Sequence, residues 1–476
     1  MKYHGIAAAI AALSTPAIVH AASGTFQVLT MNVAGNPGFD YEAKMQDAQE
    51  IGRLFNSFGH DVINMQSDFE SHVGIYETNS HPHRTTALGG PGKGDGLDTL
   101  SKIPFSDFRR IKWDKCSNAE GGDCDAPKGF TFMRMRIDEG IYIDVYNLQA
   151  DGGTQVDDST ARSENLIQLS EYIKTWSGGN AVMVFGGTNA LFSRLDDNVS
   201  IFDDQNGMSD AWSTVVRKGD SSADAPCGNT SETLMCELGD KVFSRGSPLL
   251  ILEANEFNYI GKAFSRRDRS LMSDRDPVQV SLTWTQRETL RQSDIFGTSQ
   301  GQEWFNDAPT LAAKGNRPKA AIIAFSGGNR LDKVSVTLDD TTSFEHGGGG
   351  GDMKDLTLEA DEYWTTIDLC QGEGEGKNRI FYAKATTTKD RVLEVGKMTE
   401  KCDTYSAPTN FQIVGFAGQA GDEIDQLAVV YGLRFKWFEI KYALTMERHL
   451  ISTREASSVS ELELEQPPSE NLAEST

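Results

Sequence analysis

The pattern of apolar and polar positions divides the chain into two parts of different character. From about residue 26 to residue 284, short runs rich in β-branched and aromatic residues alternate with longer segments whose apolar residues recur at helical spacing. Such alternation predicts a layered α/β domain. The predicted strands are residues 26–31, 61–65, 141–146 and 181–185, and the predicted helices are residues 44–58 and 159–176, the second capped by Ser159.

The pattern changes after a polar stretch, of which residues 285–295 are predicted to be a linker. Helical periodicity then disappears, and short strand candidates follow, separated by turns rich in Gly, Asn and Asp. They lie at residues 320–325, 333–338, 364–369, 380–385 and 411–416 and predict an all-β module. Residues 433–476 are predicted to be an extension that ends in a largely disordered, acidic tail.

Length and charge narrow the range of functions. A chain of 476 residues is long enough for two or three domains, each with its own core. Its 45 Lys and Arg against 69 Asp and Glu give a net charge of −24. An acidic surface repels phosphate backbones and anionic headgroups, which argues against a general nucleic-acid-binding function.

The N-terminus and the cysteines point to export. Residues 1–21 combine Lys2, an apolar run and a small-residue step, the pattern of a secretory signal peptide, and no later apolar stretch is long enough to span a membrane. We therefore predict a secreted, extracellular protein. In an oxidising compartment the simplest pairing of the six cysteines is three local disulfides, although other connectivities are formally open. The sequential pairs are Cys116 with Cys124, Cys227 with Cys236, and Cys370 with Cys402.

Several segments of the first part match, in order, the motifs of one superfamily. The matching runs are residues 29–35, 64–69, 94–97, 101–105, 128–131, 144–152, 185–189 and 273–277. With these runs the chain resembles the endonuclease/exonuclease/phosphatase superfamily, in particular its secreted sphingomyelinase-like members. The resemblance implies an α/β two-sheet sandwich over residues 24–284, with helices outside and a phosphodiester cleft at one end.

The chemistry that this resemblance implies needs a metal-holding carboxylate, a histidine beside the phosphate, an Asp-x-Asn pair and an Asp–His pair. Four of these positions carry another residue. Ser67 stands where glutamate is implied and Gly187 where aspartate is implied, and Gln149 and Arg275 both stand where histidine is implied. None of the four supplies a metal-binding charge or a base near pH 7. The catalytic residues that remain are Asn32, Asn189 and Asp274.

These losses predict a pseudoenzyme that needs no cofactor. When catalytic groups act together, removing one of them abolishes nearly all of the catalysis. An active magnesium-dependent phosphodiesterase, of the sphingomyelinase or nuclease type, is the alternative. It would need a displaced metal site, although Asp68, next to Ser67, is expected to face the other side of the sheet. Arg275 could instead bind a phosphate without cleaving it. The acidic candidates for a displaced site are Asp68, Asp151, Asp274 and Asp276.

Histidines could also supply the ligands of a catalytic metal site. His60, His72, His81 and His83 lie in the N-terminal third, and the last two flank a proline. Without an acidic partner close in sequence to that pair, we expect surface loop residues rather than metal ligands.

The second part matches another family. Residues 304–307, 327–338, 346–348 and 415–427 resemble a jacalin-like lectin domain, and the resemblance implies a three-sheet β-prism over residues 296–432. Its sugar-binding loop has the pattern GxxxD, which Gly421 and Asp425 match. By this resemblance Asp425 accepts sugar hydroxyls, the backbone at Asp422 and Glu423 donates, and Gly421 permits the turn. Gly301 is a candidate for the opposite wall of the pocket.

Five-residue turns rich in Gly and Asp are common, so an ordinary acidic turn is the alternative to a sugar site. Within a matching domain we favour carbohydrate binding. The sequence thus predicts a secreted protein that binds glycans or glycolipids, through a mannose- or galactose-type sugar, and carries a phosphodiesterase-like domain without catalysis.

Overall fold

The structure is a computed structural model that describes residues 21–33, 41–88, 94–220, 226–227, 233–273, 275–315, 317–374 and 376–434. The predicted signal peptide up to residue 20, Asp274 and the extension from residue 435 onward lie outside the described residues. Within the described ranges the chain forms two domains, a two-sheet sandwich followed by a three-sheet prism.

The first domain is built from strands that alternate with helices, as the apolar pattern predicts. Single 3-10 turns occur at Asp123–Asp125, Leu195–Asp197 and Gly261–Phe264, and a π-helical turn at Trp212–Val216. The elements are β1 (Ser23–Asn32), α1 (Tyr41–Phe58), β2 (Val62–Gln66), α2 (His72–Thr78), β3 (His83–Arg84), β4 (Asp98–Ser101), β5 (Phe105–Lys112), β6 (Gly129–Asp138), β7 (Ile141–Leu148), α3 (Val156–Trp176), β8 (Ala181–Gly187), α4 (Ile201–Asp204), β9 (Ser209–Asp210), β10 (Asp240–Arg245), β11 (Leu250–Tyr259) and β12 (Val278–Gln286).

Two six-stranded sheets face each other in this domain, in the orders β11-β12-β1-β2-β4-β3 and β5-β6-β7-β8-β10-β9. One buried cluster joins them, with Val28 and Val280 from the first sheet against Val145 and Phe185 from the second. α1 packs on the outer face of the first sheet and α3 on that of the second. The predicted α/β sandwich is confirmed.

Helix α3 begins earlier than its sequence indicates. Gln155, not Ser159, is the N-cap, and it forms a reciprocal capping box with Asp158. The Ser159 hydroxyl instead donates to the Val156 carbonyl inside the first turn. The predicted cap was wrong because hydroxyl residues inside a first turn resemble caps in sequence.

Buried amides fix the two sheets at one end. The Asn64 side chain donates to the carbonyls of Tyr146 (3.3 Å) and Phe185 (3.0 Å) in the opposite sheet, and Gln66 Nε2 donates to Asn147 Oδ1 (2.8 Å). Since a buried polar group without a partner is costly, this network sets the register between the sheets. It therefore positions the residues that follow β2 and β7.

The second domain is all-β apart from one short helix, and it has three sheets with the orders β13-β25-β24-β15, β18-β17-β16-β19 and β22-β21-β20-β23; β14 also pairs with β25. A single core lies between the sheets, around Phe325, Trp364 and Phe416. The elements are β13 (Leu290–Gln292), β14 (Phe296–Gly297), β15 (Trp304–Asn306), α5 (Ala308–Ala313), β16 (Ala320–Gly327), β17 (Leu331–Leu338), β18 (Ser343–Gly347), β19 (Asp352–Thr357), β20 (Trp364–Gly374), β21 (Lys377–Thr387), β22 (Val392–Gly396), β23 (Lys401–Ser406), β24 (Phe411–Ala420) and β25 (Ile424–Leu433).

Residues 285–295 are not the linker that their polarity predicts. β12 extends to Gln286, and Leu290–Gln292 forms strand β13, which pairs with β25 of the prism. The side chains of Leu290 and Gln292 are buried. A three-residue strand with a single aliphatic residue carries too short an alternation to be recognised in the sequence.

The two domains contact each other directly. The Arg134 guanidinium, buried and paired with Asp144 (2.7 Å), stacks 3.6 Å from the centre of the Trp304 ring of the prism. Trp304 Nε1 and Asn306 Nδ2 both donate to Asn180 Oδ1, at 3.2 and 2.9 Å. The three local disulfides are present, Cys116–Cys124, Cys227–Cys236 and Cys370–Cys402.

Candidate functional site

A polar cleft of about 710 Å³ lies at one end of the sandwich. β1 pairs in parallel with β2, and β7 with β8, so each pair delivers the residues after its strands to a common edge. The lining residues include Asn32 from β1, Ser67 after β2, Gln149 after β7, Asn189 after β8 and Arg275 before β12. The structure thus brings five of the residues singled out in the sequence to one cleft.

Ser67 and Gln149 form a neutral pair in the wall of this cleft. The Gln149 amide donates to Ser67 Oγ at 3.0 Å, and the Ser67 backbone N–H donates to Gln149 Oε1 at 3.2 Å. Both residues are buried, and Ser67 has a left-handed backbone (φ 54°). The pair places no charge at this point, and neither side chain exchanges a proton near neutral pH.

Arg275 holds a permanent positive charge on the other side of the cleft. Its Nη1 donates to Asn189 Oδ1 at 2.9 Å, and its Nε lies 3.3 Å from Asp240 Oδ2. Asn189 in turn donates through Nδ2 to the Ala150 carbonyl at 2.7 Å. The remnant amide of Asn189 is therefore already bonded on both sides, and Asp274 lies outside the described residues.

Gly187 sits opposite a carboxylate that the sequence did not single out. Gly187 and Asp240 are direct partners between β8 and β10, and a Cβ at Gly187 would lie 3.2 Å from Asp240 Oδ1. Only the strand pairing brings Asp240 beside Gly187, because the two residues lie 53 positions apart in the sequence. Asp240 itself is buried and does not line the cleft; it contacts Arg275, which does.

The carboxylates that line the cleft are also bonded. Glu120 accepts from the Thr154 N–H at 2.9 Å, Asp123 pairs with Lys128, and Glu237 pairs with Lys241 at 2.6 Å. A divalent cation such as Mg²⁺ takes about six oxygen ligands, usually including one or two carboxylates. Ser67, Gln149 and Gly187 supply no carboxylate, and those that line the cleft are bonded to other groups, so the residues present do not fit such an ion.

Of the four acids proposed for a displaced site, the three that the structure describes do not line the cleft, and Asp274 lies outside the described residues. Asp151 accepts from the Ser117 N–H at 2.7 Å, and burial raises the pKa of Asp151 to about 6. Asp276 is buried. Neither Asp151, Asp276 nor Asp68 is among the residues that line the cleft.

Asp68 does not line the cleft, as expected, but strand alternation is not the reason, because β2 ends at Gln66 and Ser67 has a left-handed backbone. Asp68 lies instead beside two other residues whose side chains can bind a metal. In the part of the chain that the structure describes, Asp68, His72 and Asp98 are the one trio of His, Cys, Asp or Glu whose ligand atoms lie within 4.8 Å of one another. Burial and the neighbouring Asp68 charge raise the pKa of Asp98 to about 7. The signal in the sequence was the i, i+4 spacing of Asp68 and His72.

The remaining N-terminal histidines are structural. His81 Nε2 lies 2.8 Å from the His60 carbonyl, and His60 Nε2 lies 2.8 Å from Gln279 Oε1. His81 is buried, contrary to the surface loop expected for the His81 and His83 pair, and His60 is buried as well. Burial lowers the pKa of both rings.

The candidate sugar loop forms the turn between β24 and β25. The Gly421 N–H donates to the Glu423 carbonyl at 3.0 Å, and a Cβ at Gly421 would lie 3.2 Å from the Gln302 side chain. Gly301, next to Gln302, has a left-handed backbone (φ 87°) and open space around its α-carbon. The structure thus places the Gly301 stretch against the Gly421 turn, as two walls of one site require.

Asp425 and Glu423 are held by arginines from other sheets. Arg379 on β21 lies 3.0 Å from Asp425 through Nη1 and 2.8 Å from Glu423 through Nε, while Arg330 lies 2.5 Å from Glu423. Asp425 is only 2% exposed. Its burial raises its pKa to about 6, although Arg379 opposes the shift. Asp422, by contrast, is exposed.

Comparison with known proteins agrees with the two-domain architecture. Residues 293–430 match the family model of the jacalin-like lectin domain, so the chain carries such a domain at its C-terminal end. The N-terminal part matches sphingomyelinases: the chain is 32% identical over 273 residues to the sphingomyelinase of Mycobacterium tuberculosis, a match that covers 55% of this chain and 53% of that protein. The chain spans about half the length of the curated sphingomyelinases that it matches.

Other relatives are more distant. Secreted RxLR effector protein 19 of Plasmopara viticola is 24% identical over 158 residues, covering 32% of this chain and 86% of that protein. Among solved structures, sphingomyelinase C from Streptomyces griseocarneus is 16% identical with a TM-score of 0.39, covering 54% of this chain and 99% of its own. Malaysian banana lectin is 18% identical with a TM-score of 0.26, covering 30% and 97%.

Among the described residues, no helix combines the length and the apolarity needed to cross a membrane.

Proposed function

We propose that this is a secreted carbohydrate-binding protein whose phosphodiesterase-like domain has lost catalysis. The lectin domain supplies the binding activity, and its ligands are glycans or glycolipids bearing a mannose- or galactose-type sugar. The first domain acts as a scaffold or holds a ligand without cleaving it. The observation that carries the loss of catalysis is the state of the cleft, where Arg275 is paired with Asp240 and Ser67 is bonded to Gln149.

Three physical points support this proposal for the first domain. A guanidinium cannot take a proton from water, so Arg275 cannot replace a histidine base. The serine and glutamine side chains carry no charge and do not titrate near neutral pH. General acid–base help is worth about 10²–10⁴-fold per group, so losing several groups leaves negligible hydrolysis.

For the lectin domain, the support is the convergence of the Gly301 stretch with the Gly421 turn beside Asp425. Sugar hydroxyls are well solvated, and each hydrogen bond nets only about 0.5–1.5 kcal/mol, so a binding site needs fixed acceptors and donors. Arg379 fixes the Asp425 carboxylate, and the turn fixes backbone N–H groups near it. No metal is required for such a site.

A glycan array with the full chain tests the lectin half. We expect binding to mannose- or galactose-terminated glycans that Asp425→Asn abolishes and that Asp403→Asn, a surface change on β23, leaves intact. Retention of binding in Asp425→Asn would remove Asp425 from the site.

Restoring the catalytic residues tests the other half. The variant combines Ser67→Glu, Gln149→His, Gly187→Asp and Arg275→His, and it should acquire some Mg²⁺-dependent cleavage of a chromogenic phosphodiester. All four changes belong together, because Gly187→Asp alone sets a second carboxylate against Asp240 while Arg275 remains. The competing function, an active secreted phosphodiesterase brought to glycans by its lectin domain, instead predicts cleavage by the unaltered protein.

A further inference from the structure

A buried carboxylate beside the cleft lacks hydrogen bonds. The Asp68 side chain is completely buried, and neither of its oxygens has a hydrogen-bond partner. His72 Nδ1 lies 3.5 Å from Asp68 Oδ1, close enough for an ion pair but too far for a good hydrogen bond. Because a buried carboxylate without hydrogen bonds is costly, a ligand between these two groups would stabilise the fold.

Three chain segments converge on this point. Asp68 follows β2, His72 opens α2 one helical turn later, and Asp98 begins β4, the neighbour of β2. Thr85 Oγ1 and Arg110 Nη2 both bond Asp98, at 2.8 and 2.9 Å, and both end on its Oδ1. These bonds orient the second carboxylate of the cluster as an outer shell orients a metal ligand.

The charge balance of the cluster favours a divalent cation. Arg110 bridges Asp95 (2.5 Å) and Asp98 (2.9 Å), so one guanidinium faces the carboxylates of Asp68, Asp95 and Asp98. A metal ion binds the deprotonated forms of these groups and displaces their protons. With the three carboxylates ionised and His72 neutral, two negative charges remain, and a divalent ion would cancel them. The partly exposed His72 edge offers a path of entry.

We propose that Asp68, His72 and Asp98 form a zinc-binding site that ties α2 to the edge of the first sheet. One imidazole and two carboxylates with an open fourth position suit Zn²⁺, whereas Mg²⁺ and Ca²⁺ take six or more oxygen ligands. The 3.5 Å separation of Asp68 Oδ1 and His72 Nδ1 is close to the edge of a tetrahedron with bonds of about 2.0–2.1 Å. This site is separate from the cleft-lining residues and does not depend on the proposed function.

The test uses the full chain, stripped with a chelator and then titrated with Zn²⁺ alone. Calorimetry and the zinc content after gel filtration should show one zinc per chain for the unaltered protein. Asp68→Asn and His72→Gln should bind zinc at least about ten-fold more weakly and lose it during gel filtration. The matched controls Asp114→Asn and His83→Gln, which change a carboxylate and an imidazole outside the cluster, should bind like the unaltered protein. Zn²⁺ should also raise the melting temperature of the unaltered protein but not that of Asp68→Asn.

Two results would overturn the proposal. In one, the unaltered protein binds no zinc, and Asp68→Asn melts higher in metal-free buffer, which indicates that Asp68 and Asp98 share a proton instead. In the other, Asp68→Asn and His72→Gln keep the same zinc content as the controls. If Asp68→Asn fails to fold, the His72→Gln comparison with His83→Gln decides between these outcomes.

Discussion

The Arg379 guanidinium lies 3.0 Å from the Asp425 carboxylate, so the aspartate that the lectin pattern marks for sugar binding is ion-paired within the domain. Arg379 comes from β21 in a different sheet, and it also contacts Glu423. The pair holds the carboxylate still while burial weakens its acidity, raising its pKa to about 6. Sugar binding by this protein is therefore expected to respond to pH.

Glycan binding should decline as the pH falls through about 6. The ionised Asp425 accepts hydroxyl protons through both oxygens, whereas the protonated form loses one acceptor and part of its charge. Burial places the pKa of Asp425 in this range, so its ionisation is the change that the profile reports. Affinity measured from about pH 5 to pH 8 checks this. A flat profile would show that the Asp425 charge plays no part.

Removing Arg379 should move that pH midpoint upward. In Arg379→Gln the buried Asp425 loses the positive charge that opposes its desolvation, so its pKa rises further and binding is lost at a higher pH. Arg330→Gln is the matched control, because Arg330 contacts Glu423 and Asp332. Equal midpoints for the two variants would contradict a role for Arg379 in setting the charge of Asp425.

Trp304→Ala should weaken the contact between the domains. The ring stacks on Arg134 and bonds to Asn180, and loss of a buried tryptophan costs about 3–5 kcal/mol. We expect lower stability and a separation of thermal unfolding into two transitions in calorimetry. Arg136→Gln, which breaks the more exposed pair with Asp294, should cost under about 1 kcal/mol and keep one transition. Identical behaviour of the two variants would argue against this assignment.

The architecture followed from local patterns, but much of the site did not. The alternation of strands and helices and the later succession of short strands identified both domains, because those patterns reflect burial on one face of each element. The Ser159 cap and the linker at residues 285–295 were wrong, since single turns and three-residue strands leave little pattern. Arg379 and Asp240 went unnoticed because tertiary pairing alone brings them to Asp425 and Gly187.

The position of Asp68 agrees with the prediction, but the reason given for it was wrong. Asp68 stays out of the cleft because the chain leaves β2 at Gln66 and turns at Ser67, which has a left-handed backbone, and not because strand residues alternate. Asp68 lies beside His72 and Asp98 instead. Strand alternation also gave no information on which residues Asp68 would contact, because Asp98 lies 30 positions further along the chain.

The most direct test of the account is hydrolysis of sphingomyelin by the unaltered protein in Mg²⁺, measured with and without chelator. With Arg275 paired to Asp240 and Ser67 bonded to Gln149, we predict no release of phosphocholine above a protein-free blank in either condition. Turnover that the chelator abolishes would contradict the loss of catalysis.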